Sequence, residues 1–525
     1  MKLADAHSNL RRVAITWLVA FIAAVYTLTV TAKYGPAISS DSIHYMTAAW
    51  NLAQHGVLST YTGHPLVSYA PFLSWMYALL GMAGLSMETA ARLVNAASYA
   101  AVILIVGNFV TSLPIPNNAV FTYSVLTSLL SVSLTGMSPV AMSEVLFIAL
   151  VFAAFWNAYR FVQTGKSWHY YCMCAASAAA ALTRYIGVTA VFACFLTIVM
   201  LMRLDLPKRL VLSLTYALIA LIPLCFWLAR NFVLTGTFMG YREPSIFTIR
   251  EMVFDTAWAW SSWFVPFRFR ESTTLFALLV SVGLVMFIVH SYRHREEVDA
   301  ARKLFSFLMI NYIVTYSVAL FYSAARIQFE GLSTRMWAPI SIPVMLLTIL
   351  HGVHGYSKRS TLCSLLHAFA LFATVTWTVA GAVNAVRIGQ QGFRHGLGVF
   401  GGEDWRNSET CRFLRQVKLS GTVYSNFPEP LYYYSRIVSI QTPHRGPVRV
   451  AFETYPRTKE QFIAQLQEDE ALNKDAYIVW FTDRRRSHFM LGLDELQQFL
   501  DLDEQRRFKD GFIFRAQLKR QATEH

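Results

Sequence analysis

Charged side chains are scarce in most of this chain, and that scarcity excludes the common classes of soluble enzyme. Only 14% of the 525 residues are Asp, Glu, Lys or Arg, against about 25% in an average soluble domain. The last 140 positions hold 39 of these charged residues, and the first 385 positions hold only 37. The sequence therefore predicts a membrane domain over residues 1–385 and a water-soluble domain over residues 386–525.

Acidic residues are fewer than basic residues, and the excess of positive charge indicates a negatively charged binding partner or a membrane surface. The chain has 31 acidic and 45 basic residues, a formal net charge of +14. No arm rich in Lys and Arg with interleaved aromatic residues is present, so nucleic acid is not an expected partner. The positive charge instead indicates a fixed membrane topology and contact with membrane lipid.

The sequence also lacks the short motifs of metal and nucleotide sites. Its six cysteines include no C-x-x-C pair, so neither a zinc site nor a disulfide framework is expected. No H-E-x-x-H is found. A G-x-G-x-x-G pattern spans 396–401, but it follows an apolar helix and not a strand, which argues against a dinucleotide site.

Long apolar runs are abundant and predict eleven transmembrane helices. The runs lie near 13–32, 89–111, 119–136, 140–162, 169–183, 185–202, 208–230, 273–290, 304–323, 336–354 and 361–384. The apolar stretch 71–84 is too short to cross about 30 Å of hydrocarbon at 1.5 Å per residue. We expect it to lie in the interface or to be re-entrant.

The distribution of basic residues fixes the expected orientation. With a cytoplasmic N-terminus, every strongly basic short loop falls on the cytoplasmic side. Residues 386–525 are then external, in the periplasm if the membrane is the inner membrane of a Gram-negative bacterium. Within them, strands are predicted at 421–424, 476–481 and 511–517 and a helix at 493–500, which together indicate a small α/β domain.

Asp41 is the most informative ionisable residue of the predicted membrane domain. It follows the first span in Ser39-Ser40-Asp41-Ser42-Ile43-His44-Tyr45, ahead of a short amphipathic helix that extends to Gln54. Two interpretations stay open from the local sequence. Asp41 is either the N-cap of this helix or a carboxylate that faces an external cavity and serves as a general base.

Further ionisable residues are predicted to lie on the same external side. Glu144 begins a span, Arg184 separates two apolar runs, and Arg230 ends a span. Arg242 lies in a long loop, and Arg335 precedes another span. An arginine such as Arg184 requires an anionic partner in this setting. The arginines suit a phosphate or diphosphate, although each could also be an interfacial residue with its charge in the headgroup region.

The order and common side of these elements resemble the GT-C superfamily of membrane glycosyltransferases. The chain is most similar to the bacterial group of protein O-mannosyltransferases and the lipid A aminoarabinose transferase, glycosyltransferase families 39 and 83. The similar elements are Asp41-Ser42-Ile43-His44-Tyr45, Tyr69-Ala70-Pro71-Phe72-Leu73-Ser74-Trp75, Ala90-Ala91-Arg92-Leu93, Ser143-Glu144, Thr183-Arg184-Tyr185-Ile186-Gly187, Arg230-Asn231 and Arg335 before Pro339. Ser42 stands where many protein mannosyltransferases have a second carboxylate.

The resemblance implies an inverting transfer of a sugar from a polyprenyl-phosphate donor to an external acceptor. It implies that Asp41 is the catalytic base and that Glu144, Arg184 and Tyr45 orient the acceptor or the base. Donor-phosphate binding would fall to Arg242, Arg335 and Arg230. The acceptor (envelope glycan, lipid or protein) stays open, as does the need for a divalent metal, and no organic cofactor is expected. Because nucleotide sugars are not available outside the membrane, a lipid-linked donor also agrees with the absence of a nucleotide motif.

Two other functions fit parts of the same sequence. A transporter or flippase for a lipid-linked or anionic solute would also need many spans and intramembrane charges, but no paired interrupted helices indicate inverted repeats. A structural subunit of the cell envelope would explain the soluble domain. It would give no purpose to Asp41, Glu144 and Arg184.

Overall fold

The fold is predominantly helical, with one small sheet near the C-terminus. The computed structural model describes residues 2–113, 118–242, 244–265, 282–283, 286, 299–328, 331–352, 361–417, 419–445, 458–482 and 490–519. The helices before residue 395 are α1 (Lys2–Val30), α2 (Ser40–His55), α3 (Phe72–Met82), α4 (Met87–Ser112), α5 (Asn118–Leu129), α6 (Val132–Met137), α7 (Glu144–Thr164), α8 (Ser167–Thr183), α9 (Val188–Leu201), α10 (Leu206–Thr235), α11 (Ile249–Ser261), α12 (Ala300–Arg326), α13 (Thr334–Gly352) and α14 (Thr361–Arg394).

The described part of the chain contains seven helices that are long and apolar enough to cross a membrane. They are Asn9–Val30, Met87–Ser112, Asn118–Met137, Glu144–Thr164, Leu206–Thr235, Ala300–Arg326 and Ala368–Arg394. Shorter apolar helices cover Phe72–Met82, Tyr185–Leu201 and Thr334–Leu350. The predicted helical membrane protein is confirmed. The predicted span 273–290 lies almost entirely outside the described residues.

Exposed apolar side chains mark the helix faces that we expect to contact lipid. Helix α10 exposes Val211, Leu218 and Phe226, with 65%, 62% and 74% of each residue accessible. On the opposite side of the bundle's helices, a continuous buried core includes Phe109, Phe152 and many other apolar side chains. A helix with one face in the core and one apolar face outside is what hydrocarbon requires, because lipid does not demand polar residues there.

The C-terminal part is a mixed sheet with helices on its faces. Its elements are α15 (Glu403–Arg406), α16 (Glu409–Gln416), β1 (Gly421–Ser425), α17 (Pro428–Ser435), β2 (Ile440–Gln441), α18 (Lys459–Ala471), β3 (Asp475–Phe481), α19 (Leu493–Leu496), β4 (Leu500–Arg507) and β5 (Gly511–Leu518). The strand order is β2-β1-β3-β5-β4. Strand β1 pairs in parallel with β2 and β3, and β5 pairs antiparallel with β3 and β4. The predicted small α/β domain is therefore confirmed as a fold.

Both faces of this sheet are buried, each against a different partner. Successive side chains of a strand point to opposite faces. Ile478 and Trp480 of β3 pack in a core with Phe462 of α18. Val479 and Phe481, on the other face, join a core that also contains residues of α2, α3 and α4. The sheet thus packs directly on the helical part of the chain, at the end where α2 begins.

One predicted element of the sheet region was too long and two elements were missed. The predicted helix 493–500 ends at Leu496, and Leu500 begins strand β4. Strand β4 is rich in charged residues and lies at the sheet edge, where a polar face is tolerated because only one neighbour pairs with it. The two-residue strand β2 was also missed. The predicted domain boundary at 385/386 falls within α14, which continues to Arg394.

Helix α14 approaches the turn between α5 and α6 so closely that one position requires glycine. A Cβ atom on Gly381 would overlap the carbonyl oxygen of Leu130. Gly389 lies eight residues further along the same helix, and a Cβ atom there would meet only Val30 Cγ2, at 3.9 Å. The two glycines therefore occupy similar helical positions with different surroundings.

We expect Gly381→Ala to destabilise the protein and Gly389→Ala to leave it as stable or slightly more so. Forcing a methyl group into a packed contact costs about 1–3 kcal/mol, whereas alanine in an open helical position is favoured over glycine by about 1 kcal/mol. The melting temperature of each purified variant in detergent measures the difference. Equal melting temperatures for the two variants would contradict the close contact.

Candidate active site

The site is built around the start of α2. Ser39 is the N-cap of this helix: its Oγ accepts from the backbone N–H of Ser42, and the Ser42 hydroxyl accepts in return from the Ser39 N–H. This capping box satisfies the first amides of the helix. The interpretation of Asp41 as the N-cap of α2 is therefore wrong. The Asp41 carboxylate does not cap the helix, and it makes tertiary contacts instead.

Two carboxylates and two guanidinium groups form a compact charge cluster, which we call the Asp41 cluster. It consists of Asp41, Glu144, Arg184 and Arg335. Arg335 Nη2 donates to Asp41 Oδ2 at 2.5 Å, and its Nε donates to Glu144 Oε1 at 2.5 Å. Arg184 Nη1 donates to the same Glu144 oxygen at 2.6 Å. The four charges sum to zero, which lets the group stay ionised with little water around it.

The members of the Asp41 cluster come from separate elements of the chain. Glu144 is the first residue of α7 and is buried, with 1% of its side chain exposed. Arg184 lies between α8 and the 3-10 turn Tyr185–Gly187, and Arg335 lies in the first turn of α13. The expectation that Arg184 has an anionic partner is confirmed. The paired residues are separated by 40 to 294 positions in the sequence. The sequence therefore did not predict that these four groups lie together.

Arg230 and Arg242 hold the backbone of the segment Leu66–Tyr69, which lies between α2 and α3. Arg230 Nη1 donates to the Leu66 carbonyl at 2.9 Å, and Arg242 Nη2 donates to the Ser68 carbonyl at 2.7 Å. The segment leads back to the cluster, because the Tyr69 hydroxyl donates to Asp41 Oδ1 at 2.9 Å.

Tyrosines supply the remaining contacts of the site. The Tyr45 hydroxyl donates to Ser143 Oγ at 3.3 Å, and Ser143 also accepts from Arg184 Nη1 at 3.1 Å. Tyr45 therefore lies beside the cluster, because Ser143 directly precedes Glu144 in the chain. Tyr69 and Tyr185 carry contacts that sequence reasoning did not assign to them. Both belong to the short motifs quoted above, so their position in those motifs was the available signal.

Electrostatics keep the Asp41 carboxyl ionised. Burial raises its pKa, but the positive charge of Arg335 and the hydrogen bond from Tyr69 lower it by more, so the pKa lies below its usual value. The carboxylate is therefore charged at neutral pH and able to accept a hydrogen bond or a proton. Burial raises the pKa of the Tyr45 hydroxyl to about 12, so this group stays protonated and donates.

The glycine-rich run at 396–401 holds the segment that leads into α2. The Phe400 N–H donates to the Ile38 carbonyl at 3.0 Å. A Cβ atom on Gly398, whose φ is +81°, would lie 2.8 Å from the backbone nitrogen and oxygen of Ile38. On its other side, Ala37 pairs with Pro139 and Ala141 ahead of α7 through two backbone hydrogen bonds. The run thus clamps residues 37–38 between itself and the segment that leads to Glu144.

Divalent metal ions are held in proteins chiefly by His, Cys, Asp and Glu side chains. Within the described ranges, no group of three or more His, Cys, Asp and Glu side chains is arranged to hold a metal ion. In the structure Asp41 and Glu144 are instead bridged by the single guanidinium group of Arg335.

We expect Gly398→Ala to loosen the start of α2, and Gly165→Ala to leave it unchanged. Both glycines have positive φ, +81° and +66°, so both substitutions carry the left-handed strain of about 1–2 kcal/mol. Only Gly398 is pressed against backbone, since nothing lies within 4 Å of a Cβ atom at Gly165. Hydrogen–deuterium exchange of residues 36–45 measures the effect. Similar exchange in the two variants would contradict the clamp.

Comparison with known proteins identifies relatives by structure and not by sequence. No protein-family model and no curated protein matches the chain. Among solved structures, it is similar to ArnT from Cupriavidus metallidurans in the apo state, with a TM-score of 0.55 and 12% identity over 98% of each chain. The same protein bound to undecaprenyl phosphate gives a TM-score of 0.56 and 12% identity, over 95% of this chain and 98% of that chain.

A second similar structure comes from an archaeon. The oligosaccharyltransferase from Archaeoglobus fulgidus, in complex with zinc and sulfate, gives a TM-score of 0.53 and 11% identity over 88% of this chain and 68% of that chain. Both proteins are GT-C membrane glycosyltransferases. The chain is therefore a multi-pass membrane protein with the GT-C fold, as the resemblance of its short motifs predicts.

Proposed function

We propose that the protein transfers a sugar from a polyprenyl-phosphate donor to an acceptor at the external face of the membrane, with inversion at the anomeric carbon. The observation that carries this proposal is the Asp41 carboxylate. It is ionised, lies at the start of α2, and is held by Tyr69 and Arg335 on a GT-C fold. The structural neighbour ArnT has been solved with undecaprenyl phosphate, which supports a lipid-phosphate donor here.

The proposed reaction is a single displacement. Asp41 takes the proton of the acceptor hydroxyl while the hydroxyl oxygen forms a bond to the anomeric carbon. The bond between that carbon and the phosphate oxygen of the donor breaks, and the lipid phosphate leaves with the electron pair. Because a lowered pKa makes Asp41 a weak base, its contribution depends on placement and on being charged throughout the neutral range.

Stabilisation of the departing phosphate is assigned to Arg230 and Arg242. Both guanidinium groups line the segment Leu66–Tyr69, which contacts Asp41 through Tyr69. Preorganised cations beside a leaving group lower the barrier because they need not reorient as charge develops. The same role for Arg335 stays a prediction, since its guanidinium bridges Asp41 and Glu144 in this structure. Glu144, Arg184 and Tyr45 are proposed to hold Arg335 and the acceptor in place.

We expect Asp41→Asn to lower sugar transfer by about 10²–10⁴-fold, the usual contribution of a general base. Transfer is measured with the purified protein in nanodiscs, radiolabelled polyprenyl-phosphate sugars and crude envelope acceptors. Asp501→Asn is the matched control, because Asp501 is exposed on the edge strand β4, far along the chain from the site. Its activity is expected to equal that of the wild type.

The same experiment decides between the proposed function and the transporter alternative. Normal transfer by a well-folded Asp41→Asn protein would contradict the assignment of the base. If the wild type transfers sugar from no donor but moves lipid or solute across vesicles, the protein is a transporter. A melting temperature equal to that of the wild type excludes unfolding as the cause of lost activity in a variant.

We expect Tyr69→Phe to shift the acidic limb of the pH–rate profile to higher pH. The Tyr69 hydroxyl stabilises the charged form of Asp41, so its removal raises the pKa of this carboxyl toward its usual value. Activity is then lost at a higher pH as the solution is acidified. Tyr77→Phe serves as the control, because the buried Tyr77 hydroxyl makes no hydrogen bond to any described residue. Identical profiles for wild type and Tyr69→Phe would contradict the coupling.

A further inference from the structure

A second cavity lies on the other side of α2 from the Asp41 cluster. We call it the interdomain cleft, and define it by Trp50, Glu88, Arg406, Arg415, Tyr433 and Arg436. Its volume is about 860 Å³, and it is bounded by α2, the turn between α3 and α4, and helices α15, α16 and α17. Trp50 follows Asp41 by nine residues, which corresponds to about half a rotation around the helix and about 13 Å along it. The cleft is therefore separate from the proposed site of sugar transfer.

Positive charge dominates the interdomain cleft. Three arginines and one carboxylate line it. The Glu88 carboxylate already has partners in the cleft. It accepts a hydrogen bond from the Tyr433 hydroxyl at 2.5 Å and forms an ion pair with Arg406 at 3.2 Å. Arg415 and Arg436 have no acidic partner among the residues that the structure describes. Arg415 Nη2 donates to the Tyr434 carbonyl at 2.6 Å, which leaves its charge uncompensated.

Arg436 occupies a backbone conformation that arginine seldom adopts. Its φ is +64°, and it directly follows the end of α17, where glycine is the usual residue. Its guanidinium group lies over the rings of Trp50 and Tyr432, at 5.6 and 5.7 Å from their centroids. These rings orient the exposed guanidinium group at the cleft without neutralising it. A guanidinium group held in this way is suited to bidentate contact with phosphate oxygens.

Exposed apolar surface and the start of a candidate membrane span adjoin the interdomain cleft. Helix α3 ends next to it and exposes Leu79 and Met82, with 62% and 61% of each residue accessible. Helix α4, one of the candidate spans, begins at Met87 beside Glu88. A phosphate group on a saccharide in solution, or on a lipid of the adjacent leaflet, can therefore reach the two uncompensated arginines.

We propose that the interdomain cleft is a second binding site, which takes the phosphate group of a saccharide or of a lipid headgroup. Arg415 and Arg436 bind the phosphate, Arg406 adds charge from its pair with Glu88, and Trp50 holds Arg436 in place. The proposal concerns binding alone and is independent of the transfer reaction at Asp41.

Binding is tested with the full chain in nanodiscs and two kinds of probe. Glucose 6-phosphate, with glucose as its uncharged counterpart, tests a soluble source by calorimetry. Phosphatidylglycerol, compared with the phosphate-free lipid diacylglycerol and counted by native mass spectrometry, tests a lipid source. The variants are Arg436→Gly and Arg415→Gln. Glycine is better suited than arginine to the positive φ at position 436, so loss of binding there does not arise from unfolding.

We expect each cleft variant to weaken phosphate binding by at least about tenfold, and the effect to shrink as salt screens the charges. Arg412→Gln is the matched control, because Arg412 is exposed on the same helix as Arg415 but does not line the cleft. Phosphate-dependent binding of either probe, lost in the cleft variants and kept in the control, supports the proposal and identifies the source. Failure of the wild type to bind either phosphate probe, or equal binding by the cleft variants and the control, overturns it.

Discussion

The Asp41 cluster is the interaction on which the active-site end of this protein depends. Two carboxylates and two guanidinium groups, delivered by α2, α7, the α8–α9 junction and α13, neutralise one another within a buried space. Removing one partner from such a group costs about 3–5 kcal/mol, because the remaining charges stay buried without compensation. The four helical elements are therefore held in one relative position. The proposed base Asp41 and the cation Arg335 beside it are placed by the same constraint.

The C-terminal sheet contributes to that constraint although it carries none of the four charges. One of its faces shares a core with α2, α3 and α4, and the run 396–401 lies against Ile38. Glu429 of α17 accepts from the Ser40 hydroxyl at 2.9 Å, directly beside Asp41. Both the helical part and the sheet therefore fix the start of α2. This explains why the C-terminal sheet packs closely on the helices: it completes the support of the helix that carries the proposed base.

Helix α2 presents different chemistry on its two sides. One side carries Asp41 and Tyr45 into the neutral cluster. The other carries Trp50 to the interdomain cleft, where Arg415 and Arg436 lack carboxylate partners among the described residues. A helix of 16 residues that is capped at both ends keeps these two environments apart, because they lie on opposite sides of it.

The sequence by itself determined the class of the protein and most of its elements. Long apolar runs fix helices because hydrocarbon offers no hydrogen bonds to an open backbone, and alternation or short apolar runs fix strands β1, β3 and β5. The motifs around Asp41, Glu144 and Arg184 also indicated the GT-C fold. Periodicity failed at β4, where a charged edge strand has no apolar pattern. Local preference left open whether Asp41 caps α2, and the structure shows that Ser39 is the N-cap.

Only the tertiary structure decided which charges meet. Arg335 pairs with Asp41 across 294 positions, while Arg230 and Arg242, of the same residue type and expected role, bind backbone carbonyls of residues 66–69. The glycine-rich run resembled a nucleotide motif, and its actual function is close backbone packing against Ile38. The local sequence determines which interactions each residue is able to make. The packing of the helices and the sheet determines which partner each residue has, because electrostatic and hydrogen-bond contacts act over a few ångströms in space and do not depend on distance along the chain.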